Sequence, residues 1–355
     1  MGFIDKVKSL FAAPARHLYW ARMLDAQAGE PPWQAEVIVP GEAYVVLRMR
    51  EMSLKYVRIL WRKSYPVLHA YTRHGGREEH TLVGPGQLKD ISDANLDRVV
   101  NLNQRLAGPV PYTGGDLELT AGLYSVPGGD ASKALIETVG NLTGIAGIGL
   151  GNIPAIANAV KTGVESIFGL DSTQLQLGVR DTHPGQTQLK TGAYVAIAVD
   201  KSKVDQHQLW LYQSRLIYGP DPVQGVPLDL DYFVIAVEKR TERDDWATLP
   251  GFSEHEAGFA EVMRGSGTVA EKKTALGALW PAFQQTLASS TDLIKADKSR
   301  IEAAVAADLN ARLASANPFE TRSIGGAERE IKMDDFDFVD VDTANAGAPL
   351  ARPFD

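Results

Sequence analysis

The run AYVVLRMREMSLKYVRILWRKSYPVLHAYTR, residues 43–73, decides the fold class. It divides into Ala43–Arg50, Leu54–Trp61 and Val67–Arg73, each rich in the Val, Ile, Leu and Tyr that strands favour. Turn-forming residues separate these pieces and bound them: Pro40-Gly41, Ser64–Pro66 and Gly75-Gly76. A further short strand is expected at Glu36–Val39. Downstream, Leu117, Leu119, Ala121 and Leu123 alternate within Asp116–Val126, the period of a half-buried strand. Strand-like runs resume at Gln174–Arg180, Thr191–Val199, Gln208–Leu216 and Tyr232–Lys239.

Helical signals are distributed differently. Phe3, Ile4, Val7, Leu10 and Phe11 fall at helical spacing, and a second helix is expected over about 15–28, before Gly29. A polar helix is expected at Asp93–Leu106, with Ser92 as N-cap and Gly108–Pro111 as its close. Ala131–Val139 and Ile153–Leu170 read as two helices joined by the glycine-rich piece 144–151, a helical hairpin inserted between strands. After Trp246 the β signal fades, and Glu254–Met263, Val269–Ser289 and Asp297–Ala314 read as helices. The expected class is therefore α+β, with an antiparallel, β-rich, sandwich-like core, a helical hairpin insertion and a C-terminal helical module. The divisions are 1–31 (N-terminal helices), 32–250 (core, interrupted at about 130–170), 251–316 (helical module) and 317–355 (flexible acidic tail).

Thr138–Val160, TVGNLTGIAGIGLGNIPAIANAV, carries no formal charge over 23 residues. That length spans a bilayer if helical. Its five glycines, three asparagines and one proline make a poor stable span. It is core, a conditional membrane segment or a partner-binding element.

Composition narrows the functional classes. The 355 residues are 44% hydrophobic and 23% charged, ordinary for a soluble globular protein. A net charge of −8 speaks against nucleic acid as a partner. The absence of cysteine removes disulfides, thiolate catalysis and thiolate metal sites, and fits a reducing cytoplasm. The start, MGFIDKVKSLFAAPARH, has neither the apolar core of a secretory signal nor a myristoylation pattern, since Lys6 stands where Ser or Thr is needed.

Motifs for catalysis are missing. Gly147, Gly149 and Gly151 suggest a dinucleotide fingerprint, but Asn152 and Pro154 occupy the positions where it needs glycine, and no GK[ST] follows. Arg264-Gly265-Ser266-Gly267 lacks the spacing of a nucleophile elbow. His17, His69, His74 and His80 match no metal-binding spacing, and His183, His207 and His255 are isolated, so structural or solvent-facing roles are expected. Adjacent carboxylates at Glu78-Glu79 and Asp244-Asp245 would point to opposite faces of a strand. The Asp335/Asp337 and Asp340/Asp342 pairs lack the glycine and glutamate of a calcium loop. No cofactor or metal is called for.

Two charged features point to binding. Between Arg48 and Arg77 eight Lys/Arg face one acid, Glu51, with Tyr56, Trp61, Tyr65 and Tyr71 interleaved. Arg48, Arg50, Arg58 and Arg62 share parity within their strands, and with Lys63 and Arg73 they form a candidate basic face for an acidic peptide, phosphate or anionic lipid. The alternative is a solvated outer face. The tail MDDFDFVDVD, 333–342, alternates Phe336, Phe338, Val339 and Val341 with aspartates that include Asp335 and Asp337. Plain disorder explains the acids, whereas the apolar residues read as a docking segment.

Three functions remain. The first is a non-enzymatic interaction or scaffold protein, with protein partners, a basic β-face and an acidic aromatic tail; the alanine-rich composition points to a bacterial, cytoplasmic setting. The second is a conditional membrane-active effector, peripheral on anionic membranes, with 131–170 as the inserting segment. The third is an enzyme with a dispersed site.

Overall fold

The computed structural model describes residues 18–29, 31–55, 58–59, 62–84, 99–100, 103–127, 174–184, 188–213 and 215–316. The expected helix at 3–12, the hairpin at 131–170 with its uncharged stretch, and the tail at 317–355 lie outside the described residues. The chain forms two compact units, divided between Arg240 and Thr241.

The strands of the first unit are β1 (Tyr19–Arg22), β2 (Tyr44–Ser53), β3 (Arg58–Ile59), β4 (Arg62–His74), β5 (Arg77–Val83), β6 (Val99–Val100), β7 (Gln104–Pro111), β8 (Leu117–Pro127), β9 (Gln174–His183), β10 (Gly192–Ile197), β11 (Leu209–Tyr212), β12 (Arg215–Tyr218), β13 (Val226–Pro227) and β14 (Tyr232–Arg240). They make three antiparallel sheets. The larger runs β1-β10-β14-β2-β6, with β7 also on β2. The second runs β3-β4-β8-β9, with β5 on β4, and the third is β11-β12-β13.

Alternation explains the layers. Val45, Leu47, Met49, Phe233, Ile235 and Val237 of the larger sheet share one apolar cluster with Leu68, Ala70, Leu119, Ala121, Leu123 and Val179 of the second. The two sheets therefore pack face to face as a sandwich. Each of these Val, Leu, Ile, Met and Phe side chains contributes about 1.5–3 kcal/mol through burial. Polar bonds cross the same interface: Trp20 Nε1 donates to Asp181 Oδ2 at 2.9 Å, and the Gly108 amide to Glu79 Oε2 at 3.0 Å. On the opposite face of the larger sheet, Tyr19, Val195, Ile197, Tyr232 and Val234 pack with Leu209, Leu211 and Leu216 of the third sheet. The larger sheet is thus covered on both faces, which explains near-continuous burial along β10 and most of β14.

Five sequence expectations change. Within the helix expected at Asp93–Leu106, the described residues include β6 and the start of β7, which pair with β2. There Gly108 sits at φ +86, and a side chain would collide with the Val45 carbonyl, so the glycine allows the close approach. The helix expected at about 15–28 contains β1, because Tyr19–Arg22 pairs residue for residue with β10 and tertiary pairing outweighs weak helix propensity. Gln208–Leu216 is two strands, turned at Gln213, whose φ is +47. Glu36–Val39 contributes one isolated bridge, Val37 to Lys190, and among the described residues of Leu54–Trp61, Arg58–Ile59 is strand while Leu54 and Lys55 are not.

The second unit holds α1 (Phe252–Arg264), α2 (Val269–Ser289) and α3 (Lys295–Ala316), matching the helices read from sequence. Thr268 caps α2 in a capping box: its hydroxyl accepts from the Glu271 amide, and the Glu271 carboxylate accepts from the Thr268 amide at 2.8 Å. Phe252, Phe259, Trp280, Phe283 and Leu287 fill the core between the helices. Asp297, 1% exposed, accepts from the Arg243 amide at 2.9 Å and Arg300 Nε at 2.6 Å and so ties the entry segment to α3. Among the described residues no helix is long and apolar enough to cross a membrane.

Candidate functional site

The outer face of the larger sheet carries the first concentration of charge. In β2 the register to β14 passes from Met49–Ile235 to Glu51–Val234, leaving Arg50 as the extra residue of a bulge. Arg48 and Arg50 both project outward, as their parity predicts. Arg50 Nη2 donates to Glu238 Oε1 at 2.7 Å, and Arg48 Nε lies 3.3 Å from the same oxygen. Their other nitrogens reach Asn103: Arg48 Nη1 donates to its carbonyl at 2.9 Å and Arg50 Nη1 to its Oδ1 at 2.8 Å. The Arg50 guanidinium lies 5.7 Å from the Trp33 ring centroid, a cation–π contact. Partial burial lowers the Arg50 pKa, Glu238 opposes that shift, and Arg48 adds to it.

Register adds two arginines to this face. Arg105 of β7 stands opposite Arg48, and Arg240 of β14 lies two residues beyond Glu238; both are exposed. Four arginines therefore occupy the outer positions of three neighbouring strands, where Glu238 and the enclosed Glu51 are the carboxylates. Arg105 and Arg240 could not be read from the run 48–77. One sat in an expected helix, and the other belongs to a strand nearly two hundred positions away in sequence. The usable signal was that Arg240 follows directly on the strand-like run Tyr232–Lys239, two residues beyond Glu238.

The remaining candidates lie elsewhere. Arg73 is on the outer face of the second sheet and pairs with Glu118 across β4 and β8, so the sandwich separates it from Arg48 and Arg50. Arg58, Arg62 and Lys63 belong to β3 and the start of β4, with Arg58 opposite Lys63; their side chains lie outside the described residues. Phe336, Phe338, Val339, Val341, Asp335 and Asp337 also lie outside them.

Two buried titratable groups stand out. Glu51, fully enclosed, accepts from the Tyr232 hydroxyl at 2.8 Å and the Leu216 amide at 2.7 Å. Desolvation raises its pKa to about 7, against the lowering effect of those two bonds and of Arg215. On the outer face of the second sheet His69, 1% exposed, lies in line with His80, with Nε2 and Nδ1 3.5 Å apart. Burial, with a smaller contribution from His80, lowers the His69 pKa to about 3, so it is neutral at physiological pH. His74 is held between strands: its Nδ1 lies 3.1 Å from the Asp116 carbonyl, and its ring stacks on Tyr112 at 5.1 Å. The cavity beside it, lined by Val45, Leu47, Thr72 and Glu79 among others, encloses about 20 Å³, room for about one water. Among the described residues no group of three or more His, Asp or Glu side chains is placed to hold a metal.

The fold and this surface define an α+β protein with a basic cluster on the outside of a β-sandwich. No family model, curated protein or solved structure matches the chain.

Proposed function

We propose that this is a non-enzymatic interaction or scaffold protein that engages an acidic segment of a protein partner through the outer face of its larger sheet. The observation that carries this reading is the placement of Arg48, Arg50, Arg105 and Arg240 at outer positions of neighbouring strands, the first two paired with Glu238. Guanidiniums present paired donors that match carboxylates, and strands hold them at fixed spacing. The Arg50 guanidinium, held over the Trp33 ring, is itself a planar group of the kind aromatic residues of a ligand stack on. An acidic, aromatic peptide is the chemistry that suits this surface. The reading places the protein in the cytoplasm, where cysteine-free chains are at no disadvantage.

Fluorescence anisotropy of a labelled MDDFDFVDVD peptide against the full chain tests the reading. Saturable binding that weakens with salt, and that falls at least about tenfold in the double variant Arg48→Glu, Arg105→Glu, is expected. Equal binding by that variant refutes the proposed surface. Stronger association of the full chain with anionic than with neutral vesicles, together with no peptide binding, replaces the reading with peripheral membrane contact.

A further inference from the structure

Glu51 occupies an unusual place. Strict alternation after Leu47 and Met49 would aim it into the sandwich core. The bulge at Arg50 turns it to the other side, beneath the third sheet. There its two carboxylate oxygens join different layers: Oε1 receives the Tyr232 hydroxyl of β14, and Oε2 receives the Leu216 amide of β12. Around this tie the packing is apolar, from Leu209, Leu211 and Leu216 above to Val195, Ile197 and Val234 below. The third sheet is small, with strands of four, four and two residues. The turn that leads into β11 is held by partly exposed side-chain bonds, Gln27 Nε2 to the His207 carbonyl at 2.6 Å and Gln206 Nε2 to the Arg22 carbonyl at 2.6 Å.

We propose that the β11–β13 sheet is a proton-gated cover: it stays closed while Glu51 is protonated and opens by local unfolding when Glu51 ionises. A buried carboxylate flanked by a phenol and one amide gains too little to offset its lost hydration, so the ionised form favours the open state, where water reaches it. The groups acting on Glu51 are named by the packing. Tyr232 comes from β14 and Arg215 from β12, while β1 and β10 supply Tyr19, Ala193, Val195 and Ile197 to the same cluster. Among the described residues the charge acting on Glu51 is that of Arg215, which is exposed, so its compensation is screened. Opening uncovers Val195, Ile197, Tyr232 and Val234, an apolar strip on the face that also carries the arginine cluster.

Hydrogen-exchange mass spectrometry of the full chain at pH 6 and pH 8, corrected for intrinsic exchange rates, tests this. The opening constant of Leu209–Tyr218 should rise about tenfold from pH 6 to pH 8, while Leu276–Leu287 of α2 stays constant. In Glu51→Gln, whose amide oxygen still accepts a hydrogen bond, the rise should vanish and protection at pH 8 should increase. The wild-type comparison stands alone if the variant folds poorly. An opening constant for Leu209–Tyr218 that does not rise between the two pH values, or a rise that persists in Glu51→Gln, overturns the proposal.

Discussion

Replacing His69 with glutamine should remove the acid sensitivity of the second sheet. His69 is 1% exposed, and its pKa falls from 6.5 to about 3 on burial. The folded state therefore binds the proton less readily than the unfolded chain. Its contribution is fully present above pH 6.5 and is lost progressively as pH falls toward 3, at roughly 1.4 kcal/mol per pH unit. At pH 5 the loss attributable to this one group is about 2 kcal/mol, and its limit near pH 3 is about 5 kcal/mol. Glutamine cannot take up the proton, yet it can still hydrogen-bond His80. Urea titration read by pulse-labelling hydrogen exchange resolves β4 and β8 from the helices of the second unit. The variant should lose stability relative to wild type at pH 7, through imperfect fit, but recover about 2 kcal/mol of that difference at pH 5. A stability difference that is the same at pH 7 and pH 5 would refute the reasoning, because it would mean that His69 has its ordinary pKa in the folded protein.

Glu238→Gln withdraws the carboxylate shared by Arg48 and Arg50; the β2–β14 region should lose about 1–3 kcal/mol by urea denaturation, while affinity for the acidic peptide should rise by about threefold or more. Weaker peptide binding in that variant would mean Glu238 belongs to the receptor surface as a donor-orienting group. Phe283→Ala empties the centre of the helical unit, where its ring lies 5.1 Å from Trp280, 5.6 Å from Phe259 and 6.2 Å from Phe252. It should cost about 3–5 kcal/mol, seen as loss of the helical transition in thermal circular dichroism. Thr268→Ala removes the capping box of α2 and should cost about 1 kcal/mol, with the first turn of α2 exchanging faster.

What could be read from sequence follows from how local each signal is. The helices after Trp246 were legible because their helical signal is contained within each segment. β8 was legible from its own alternation. β1 and β7 were not. Tyr19–Arg22 is too short to show a period, and Gln104–Pro111 holds a glycine and two prolines that read as a helix stop. Their strand character comes from partners, β10 and β2, that no local window contains. The site divides the same way. Arg48 and Arg50 were found by parity within one strand. Arg105 and Arg240 required the register. Glu51, the lone acid in a basic run, looked like a minor exception, and its place beneath the third sheet became visible only with the bulge that turns it out of the sandwich core.

Glu51 and His69 act on the first unit with opposite signs. A carboxyl whose pKa rises to about 7 stabilises the fold fully below 4.5 and loses that contribution as pH climbs to 7. A histidine whose pKa falls to about 3 stabilises the fold fully above 6.5 and loses that contribution as pH drops. Between pH 5 and pH 7 the two changes are each about 2 kcal/mol and nearly cancel, so global stability stays level across the range where both groups respond. The compensation is in magnitude only, because the groups lie on different faces: Glu51 beneath the third sheet, His69 on the outside of the second. A change of pH within this window therefore redistributes where the first unit opens without changing how firmly it holds together. Toward alkaline pH the weak point moves to β11–β13, and toward acid pH it moves to β4 and β8. A level stability profile in wild type, splitting into a falling one in Glu51→Gln and a rising one in His69→Gln as pH decreases, is the pattern this arrangement requires.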